Sequence, residues 1–113
     1  MTRVKFEDSA KIDIALGRQI IRNYFAEKES YEIGELQVQL FKAELDEAEE
    51  RLATNPEMYP IRREYDDDYC GKLLRSFSVH WFILFYTYTP EEGVIVWYIR
   101  PSKSDYSNII WLS

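Results

Sequence analysis

The sequence is poor in the residues that build redox and metal chemistry. Cys70 is its only cysteine and His80 its only histidine, which excludes an internal disulfide and a cysteine-built zinc site and leaves little for a metal centre of any kind. No cofactor and no metal are expected. Apolar runs are short as well: none approaches the roughly 20 residues that span a bilayer. The opening Met1-Thr2-Arg3-Val4-Lys5-Phe6 alternates where a signal peptide would carry an apolar block. These features predict a soluble, cytoplasmic protein with no use for a membrane. Positive charge is the third shortage, with 14 Lys and Arg against 20 Asp and Glu and a net charge of −6. Non-specific duplex binding is driven largely by phosphate neutralisation, so no direct binding to duplex DNA is expected. The deficit is uneven. Residues 1–70 hold 10 basic and 17 acidic side chains, whereas residues 71–113 hold Lys72, Arg75, Arg100 and Lys103 against Glu91, Glu92 and Asp105. Any surface that faces an anion must therefore be built from the C-terminal third.

Apolar and aromatic surface is plentiful. Of the 113 residues 46% are hydrophobic, including nine tyrosines, six phenylalanines and three tryptophans, enough to offset the entropy of ordering the chain. The length is that of one domain, residues 1–113, with no linker, internal repeat or low-complexity stretch. Arg3-Val4-Lys5-Phe6-Glu7 alternates with period 2 and predicts a strand with one buried face. Asp8 and Ser9 can cap the helix that follows. Ile12, Ala15, Leu16, Ile20 and Tyr24, widened by Ile14, Ile21 and Phe25, predict that helix from about Ser9 to Ala26.

Beyond the charged linker Glu27-Lys28-Glu29-Ser30, a second helix begins near Tyr31 and places Val38, Phe41, Leu45, Ala48 and Leu52 on one seam. It stops at Thr54-Asn55-Pro56, because the residue before a proline is pushed out of the α region. Glu44, Asp46, Glu47, Glu49 and Glu50 on its other side read as a solvated face. After Pro60 the pattern turns to short segments rich in aromatic and β-branched residues. Ile61 to Tyr65, Lys72 to Ser78, Trp81 to Tyr88 and Val94 to Ile99 are expected strands, the last two joined by the five-residue loop Thr89-Pro90-Glu91-Glu92-Gly93. Asp66-Asp67-Asp68 is too polar to bury and belongs in a turn; it lacks the spacing of an EF-hand. The order is that of an α+β domain: an N-terminal strand, a helical hairpin, then an antiparallel sheet of three to four strands covered on one face by the helices.

That order, with its local detail, resembles the RelE/ParE superfamily of toxins from bacterial toxin-antitoxin modules, over essentially the whole chain. The most specific part is Leu74-Arg75-Ser76-Phe77-Ser78-Val79 running into Phe82-Ile83-Leu84-Phe85-Tyr86, then an acidic turn, then Val94-Ile95-Val96-Trp97-Tyr98-Ile99-Arg100. It looks like the family's arginine strand, hydrophobic strand ending in tyrosine, and final strand followed by a basic loop. Leu52-Ala53-Thr54-Asn55-Pro56-Glu57-Met58-Tyr59-Pro60 is similar to the stretch that ends the second helix in ParE-like members.

The resemblance implies a toxin held in check by a cognate antitoxin, and two chemistries. RelE-like members cut messenger RNA on the ribosome, whereas ParE-like members poison DNA gyrase without a hydrolytic site of their own. Strand cleavage by a 2′-hydroxyl needs a base, an acid and cations that stabilise the pentavalent phosphate. Where ribonuclease members carry an arginine before the end of the hydrophobic strand, this chain has Phe82 or Ile83, and its C-terminal basic loop is reduced to Arg100-Pro101-Ser102-Lys103-Ser104-Asp105. The chain therefore reads as nearer the ParE-like branch, a toxin that binds a gyrase-like protein target. A ribosome-dependent endoribonuclease and a non-toxic interaction module on the same fold are the alternatives.

For a ribonuclease, His80 is the general-base candidate because its unperturbed pKa suits proton transfer near neutrality. A lone histidine at a strand edge is otherwise packed or solvated. Arg75, Arg100, Lys103, Tyr86 and Trp111 are the candidate contacts for target or antitoxin. Arg75 could instead hold an acidic neighbour such as one of Asp66 to Asp68. Tyr86 shares a strand face with Tyr88, where core packing is the plain reading. Cys70 has no base beside it in sequence and is read as structural. Trp111 lies in the tail Tyr106-Ser107-Asn108-Ile109-Ile110-Trp111-Leu112-Ser113, too apolar to stay bare; it folds back as an edge strand or packs on a partner.

Overall fold

Residues 1–61 and 73–102 are described by the computed structural model of the chain. The alternating N-terminal run forms β1 (Val4–Phe6) and leads directly into α1 (Asp8–Lys28) and α2 (Tyr31–Thr54). Three strands follow, β2 (Arg75–Val79), β3 (Phe82–Thr89) and β4 (Gly93–Pro101), in a sheet of order β1-β4-β3-β2. The expected α+β architecture is present, with one difference. β2, β3 and β4 are antiparallel neighbours, but β1 runs parallel to β4, with Val4 opposite Val94 and Phe6 opposite Val96. The sheet is therefore mixed. Two tight hairpins can only yield antiparallel pairs, whereas a parallel pair needs a long crossover, which here is the helical hairpin and everything after it. Alternation within a strand does not encode which strand will lie beside it.

α2 follows its seam. Val38, Phe41, Leu45, Ala48 and Leu52 are all buried, joined by Gly34, whose missing side chain lets the backbone of Arg22 come within 3.2 Å of its Cβ position. The helix opens on Ser30, whose hydroxyl accepts a bond from the Ile33 N–H, and ends as expected at Thr54 before Asn55 and Pro56. α1 departs from its apolar stripe. Its buried face is Ala10, Asp13, Gly17, Ile20 and Ile21, while Ile12 is 60% and Leu16 41% exposed. Gly17 turns inward because the Phe82 ring stands 3.2 Å from where its Cβ would be, and Asp13 turns inward to bond β4. Neither residue registers as apolar, so the hydrophobic pattern is right for Ile20 and Ile21, with Ile14, Tyr24 and Phe25 packed beside them, and misplaces only Ile12, Ala15 and Leu16 in the first half of the helix. The expected cap also moves. Glu7 is the N-cap, without a side-chain bond, and the Ser9 hydroxyl donates instead to the Trp97 carbonyl.

The core lies between the helical hairpin and one sheet face, around Ile21, Phe41, Leu52, Phe82, Leu84 and Tyr86. β2 and β3 are joined through His80 and Trp81 alone, since Val79 pairs with Phe82. The β3–β4 loop is shorter than expected, because Thr89 pairs with Gly93 and only Pro90, Glu91 and Glu92 turn the chain. Gly93 has φ +75°, and a Cβ there would meet the Arg3 carbonyl oxygen at 2.6 Å. Of the expected strand from Ile61 to Tyr65 only Ile61 is described, in an isolated bridge to Arg75; the rest, with Asp66-Asp67-Asp68 and Cys70, lies outside the described residues, as does the tail from Lys103 onward.

Candidate functional site

Among the described residues, the charged and aromatic side chains singled out in the sequence are bound into the fold. His80 occupies the first turn position between β2 and β3 with φ 55°, a left-handed conformation that costs a residue with a Cβ roughly 1–2 kcal/mol. Three bonds to α2 hold it there. Its backbone N–H donates to Glu44 Oε1 at 3.1 Å, its Nδ1 lies 2.8 Å from Glu44 Oε2, and its Nε2 lies 3.1 Å from Gln37 Oε1. The ring stacks on Trp81 at 4.7 Å, and Trp81 in turn stacks on Phe25 of α1 at 4.8 Å. Both imidazole nitrogens are engaged, and the side chain is only 10% exposed. Glu44 thereby leaves the solvated face to which its acidic neighbours belong.

Arg75 is likewise turned inward. It donates to the carbonyls of Tyr59 at 2.7 Å and Glu57 at 3.2 Å and lies 3.7 Å from the Glu57 carboxylate, so it clasps the segment that leaves α2. Tyr86 is fully buried, with its hydroxyl donating to the Pro56 carbonyl at 2.8 Å. Burial pushes its pKa up to about 12. Tyr88 is half-buried and packs on the same core. Arg100 projects from β4 onto the Tyr98 ring, 4.6 Å from its centre, and bonds Asp13 of α1 at 2.7 Å. Lys103 and Trp111 lie outside the described residues. The structure thus does not gather Arg75, His80, Tyr86 and Arg100 into one cleft. Arg75 and Tyr86 stand opposite each other across β2 and β3 and both hold the segment after α2, whereas His80 and Arg100 lie apart from them, one against α2 and the other against α1.

A groove that periodicity did not reveal runs between α1 and α2. Phe6, Ile14, Phe41 and Leu45 floor a space of about 280 Å³, with Lys11 and Arg18 on the α1 rim and Lys42, Asp46 and Glu49 on the α2 rim. Lys42 and Asp46 pair across 3.0 Å. The signal for it in the sequence was weak but present: Lys11, Ile14 and Arg18 follow one another at helical spacing along the flank of α1 that faces α2. Among the described residues no group of histidines, cysteines and carboxylates could hold a metal ion, and no helix is long and apolar enough to cross a membrane.

The fold and the sequence both have relatives. Among solved structures the chain is similar to one from the chromosomal ParDE TA system of P. aeruginosa, with a TM-score of 0.57 over 91% of this chain and 98% of that chain. At 14% identity that likeness is one of fold. No curated protein matches the sequence. A family profile described as "ParE toxin of type II toxin-antitoxin system, parDE" matches residues 21–106, which takes in the last part of α1, all of α2 and every strand of the antiparallel hairpins. With most of its length matched by that profile, the chain belongs to the ParE toxin family of type II toxin-antitoxin systems.

Proposed function

We propose that the protein is a toxin that acts by binding a protein target, DNA gyrase, and is neutralised by a cognate antitoxin of the ParD type. The observation that carries this reading is the state of His80. A general base must present a free nitrogen to the proton it removes, and here Nδ1 faces Glu44 and Nε2 faces Gln37 behind a stacked Trp81. The histidine holds a turn in an otherwise costly conformation, a structural duty that explains its presence without chemistry. Arg75 and Arg100, the cations a ribonuclease would aim at phosphate, are bonded to backbone carbonyls and to Asp13.

The antitoxin's place is the groove between the helices. Its apolar floor suits the side chains of an amphipathic segment, and Lys11 and Arg18 on the rim suit a segment that also carries carboxylates. Purified protein added to a gyrase supercoiling reaction is expected to inhibit it, and inhibition is expected to disappear on adding the product of the neighbouring antitoxin gene. Primer extension on transcripts from expressing cells is expected to show no new cuts. Discrete in-frame cuts that vanish in His80→Ala, with gyrase unaffected, would establish the ribonuclease instead.

A further inference from the structure

The helices cover one face of the sheet, yet the opposite face is buried as well. Along β3 the helical core takes Phe82, Leu84, Tyr86 and Tyr88, so Ile83, Phe85 and Thr87 turn the other way. The register extends this second face in rows. Phe85 stands between Ser76 of β2 and Tyr98 of β4, and Thr87 stands beside Ile95, with Leu74 just ahead of β2. Leu74 is 4% exposed, Ser76 2%, Phe85 3%, Thr87 0% and Ile95 8%. The row nearest the end of β4 differs: Ser78 and Arg100 are exposed and Ile83, between them, is half-buried. Strand neighbours flank a phenylalanine ring but do not close over it, so the burial of Phe85 requires a further layer. Among the described residues neither helix supplies one, because both pack, with Tyr59 of the segment after α2, on the other face.

Residues 62–72 and 103–113 lie outside the described part of the chain, and their sequences suit this face unequally. Residues 62–72 hold seven charged side chains in eleven, from Arg62 and Arg63 through Asp66-Asp67-Asp68 to Lys72, and charge is costly to lay on an apolar floor. Among the described residues the Ser76 hydroxyl has no hydrogen-bond partner, as expected beneath apolar side chains and not beneath a loop of carboxylates. The tail begins beside the open row, where the Ser102 N–H and hydroxyl both donate to the Trp81 carbonyl, at 3.0 and 2.7 Å. It opens with the polar Lys103-Ser104-Asp105, and large apolar residues follow at Tyr106 and at Ile109-Ile110-Trp111-Leu112. Its polarity thus changes in the same order as the burial of the face. It is also long enough. At ~3.3 Å per extended residue Ile109 can lie up to about 23 Å from Ser102, whereas Phe85 and Thr87 are only about 10 and 17 Å along β3 from Phe82.

We propose that the C-terminal tail, residues 106–112, is the layer over this second face, with Ile109, Ile110, Trp111 and Leu112 seated on Phe85, Thr87 and Ile95. An added edge strand would leave those three residues bare, so the tail lies across the sheet and not beside it. The domain then has three layers, and Trp111 serves the fold instead of contacting a target.

A nitroxide on the tail of the full chain tests this by NMR. With the label on Ser107→Cys in a Cys70→Ser background, the amide signals of Ser76, Phe85, Thr87 and Ile95 should lose most of their intensity, while those of Lys11, Ile14 and Glu49 on the helical side keep most of theirs. A chain ending at Ser102 gives a second reading: its amide shifts should change at Leu74, Phe85, Thr87 and Ile95 and stay put at Lys11, Ile14 and Glu49. Loss concentrated at the helical groove, or no loss at either face, overturns the proposal. So does the same loss at Phe85 and Thr87 when labelled chains are mixed with unlabelled, isotope-enriched ones, since the tail would then sit on a second copy.

Discussion

α1 and α2 lie side by side on the same sheet and bury themselves by different means. α2 presents an unbroken apolar seam from Val38 to Leu52, so its attachment rests on area removed from water. α1 presents Ala10, Asp13 and Gly17 before it reaches Ile20 and Ile21, so the first half of its attachment rests on a small residue, a glycine and a charge-assisted hydrogen bond. The difference follows from what lies beneath each helix. α2 covers side chains, whereas α1 crosses β4 beyond its pairing with β1, where among the described residues no strand lies beside its outer backbone groups and α1 satisfies them instead. Area burial is non-directional and tolerates small shifts; hydrogen bonds to a strand edge fix the helix in one place.

The largest test of the contrast is Leu52→Ala. Leu52 is fully buried at the end of the α2 seam, away from the groove, and such truncations cost about 2–5 kcal/mol. Denaturant unfolding should show a loss in that range with an unchanged m-value. A loss well below it would mean that the α2 seam contributes less than its burial implies.

Tyr86 sharpens the comparison at the far end of α2, where its hydroxyl ties β3 to the Pro56 carbonyl. Burial raises its folded pKa to about 12 from the ordinary 10.0. The folded state therefore holds this proton more tightly than the unfolded one. Its contribution is present in full below pH 10 and is lost as the pH rises through 12, by about 2 kcal/mol at pH 12. Tyr86→Phe should cost about 1 kcal/mol at neutral pH through the lost hydrogen bond, and it should show a shallower alkaline decline than the parent. Parallel stability curves between pH 9 and 12 would refute this.

Why one helix was readable throughout and the other only in its second half is a matter of which forces leave a mark on hydrophobicity. The α2 seam, its stop at Pro56 and the strand character of the C-terminal half all come from apolar spacing and backbone restriction, both carried by residue type. The unread part of the inward face of α1 comes from Asp13 and Gly17, whose reasons for being inside are the Ile99 N–H and the Phe82 ring, more than 60 residues away in sequence. His80 and Glu44, 36 residues apart, are the same case, since nothing local marks one acid of a helix as the partner of a turn. The family pattern was legible from the order and spacing of the strands, and the parallel placement of β1 was not. Gly17→Ala probes this directly. Alanine adds up to about 1 kcal/mol of helix propensity, but its methyl would press on Phe82, itself packed against Phe41 with ring centres 5.0 Å apart. Overpacking of a filled core costs about 1–3 kcal/mol, so a net loss near 1 kcal/mol is expected. A gain in stability would show that the α1 contact is looser than described.

The smallest effect separates two acids on the outer side of α2. Glu47 is exposed and lies 3.7 Å from Arg51 in an (i, i+4) pair, an arrangement that long solvated side chains share with water and salt. Glu47→Ala also introduces the best helix former, so its melting temperature should be indistinguishable from that of the parent. Glu44→Ala makes the same exchange in the same helix, yet it removes the acceptor for both the His80 backbone N–H and its Nδ1. The turn would then keep its left-handed residue with only the Gln37 bond and the Trp81 stack to hold it. Because the Glu44 side chain is 45% exposed, water can replace part of what is lost, and a cost of about 1 kcal/mol is expected instead of the full penalty for a buried orphan. Restoring flexibility at the turn with His80→Gly in the Glu44→Ala background should recover part of that cost, since glycine adopts the same φ without strain. Equal melting temperatures for Glu44→Ala and Glu47→Ala would return Glu44 to the solvated face and leave the conformation of His80 without a cause.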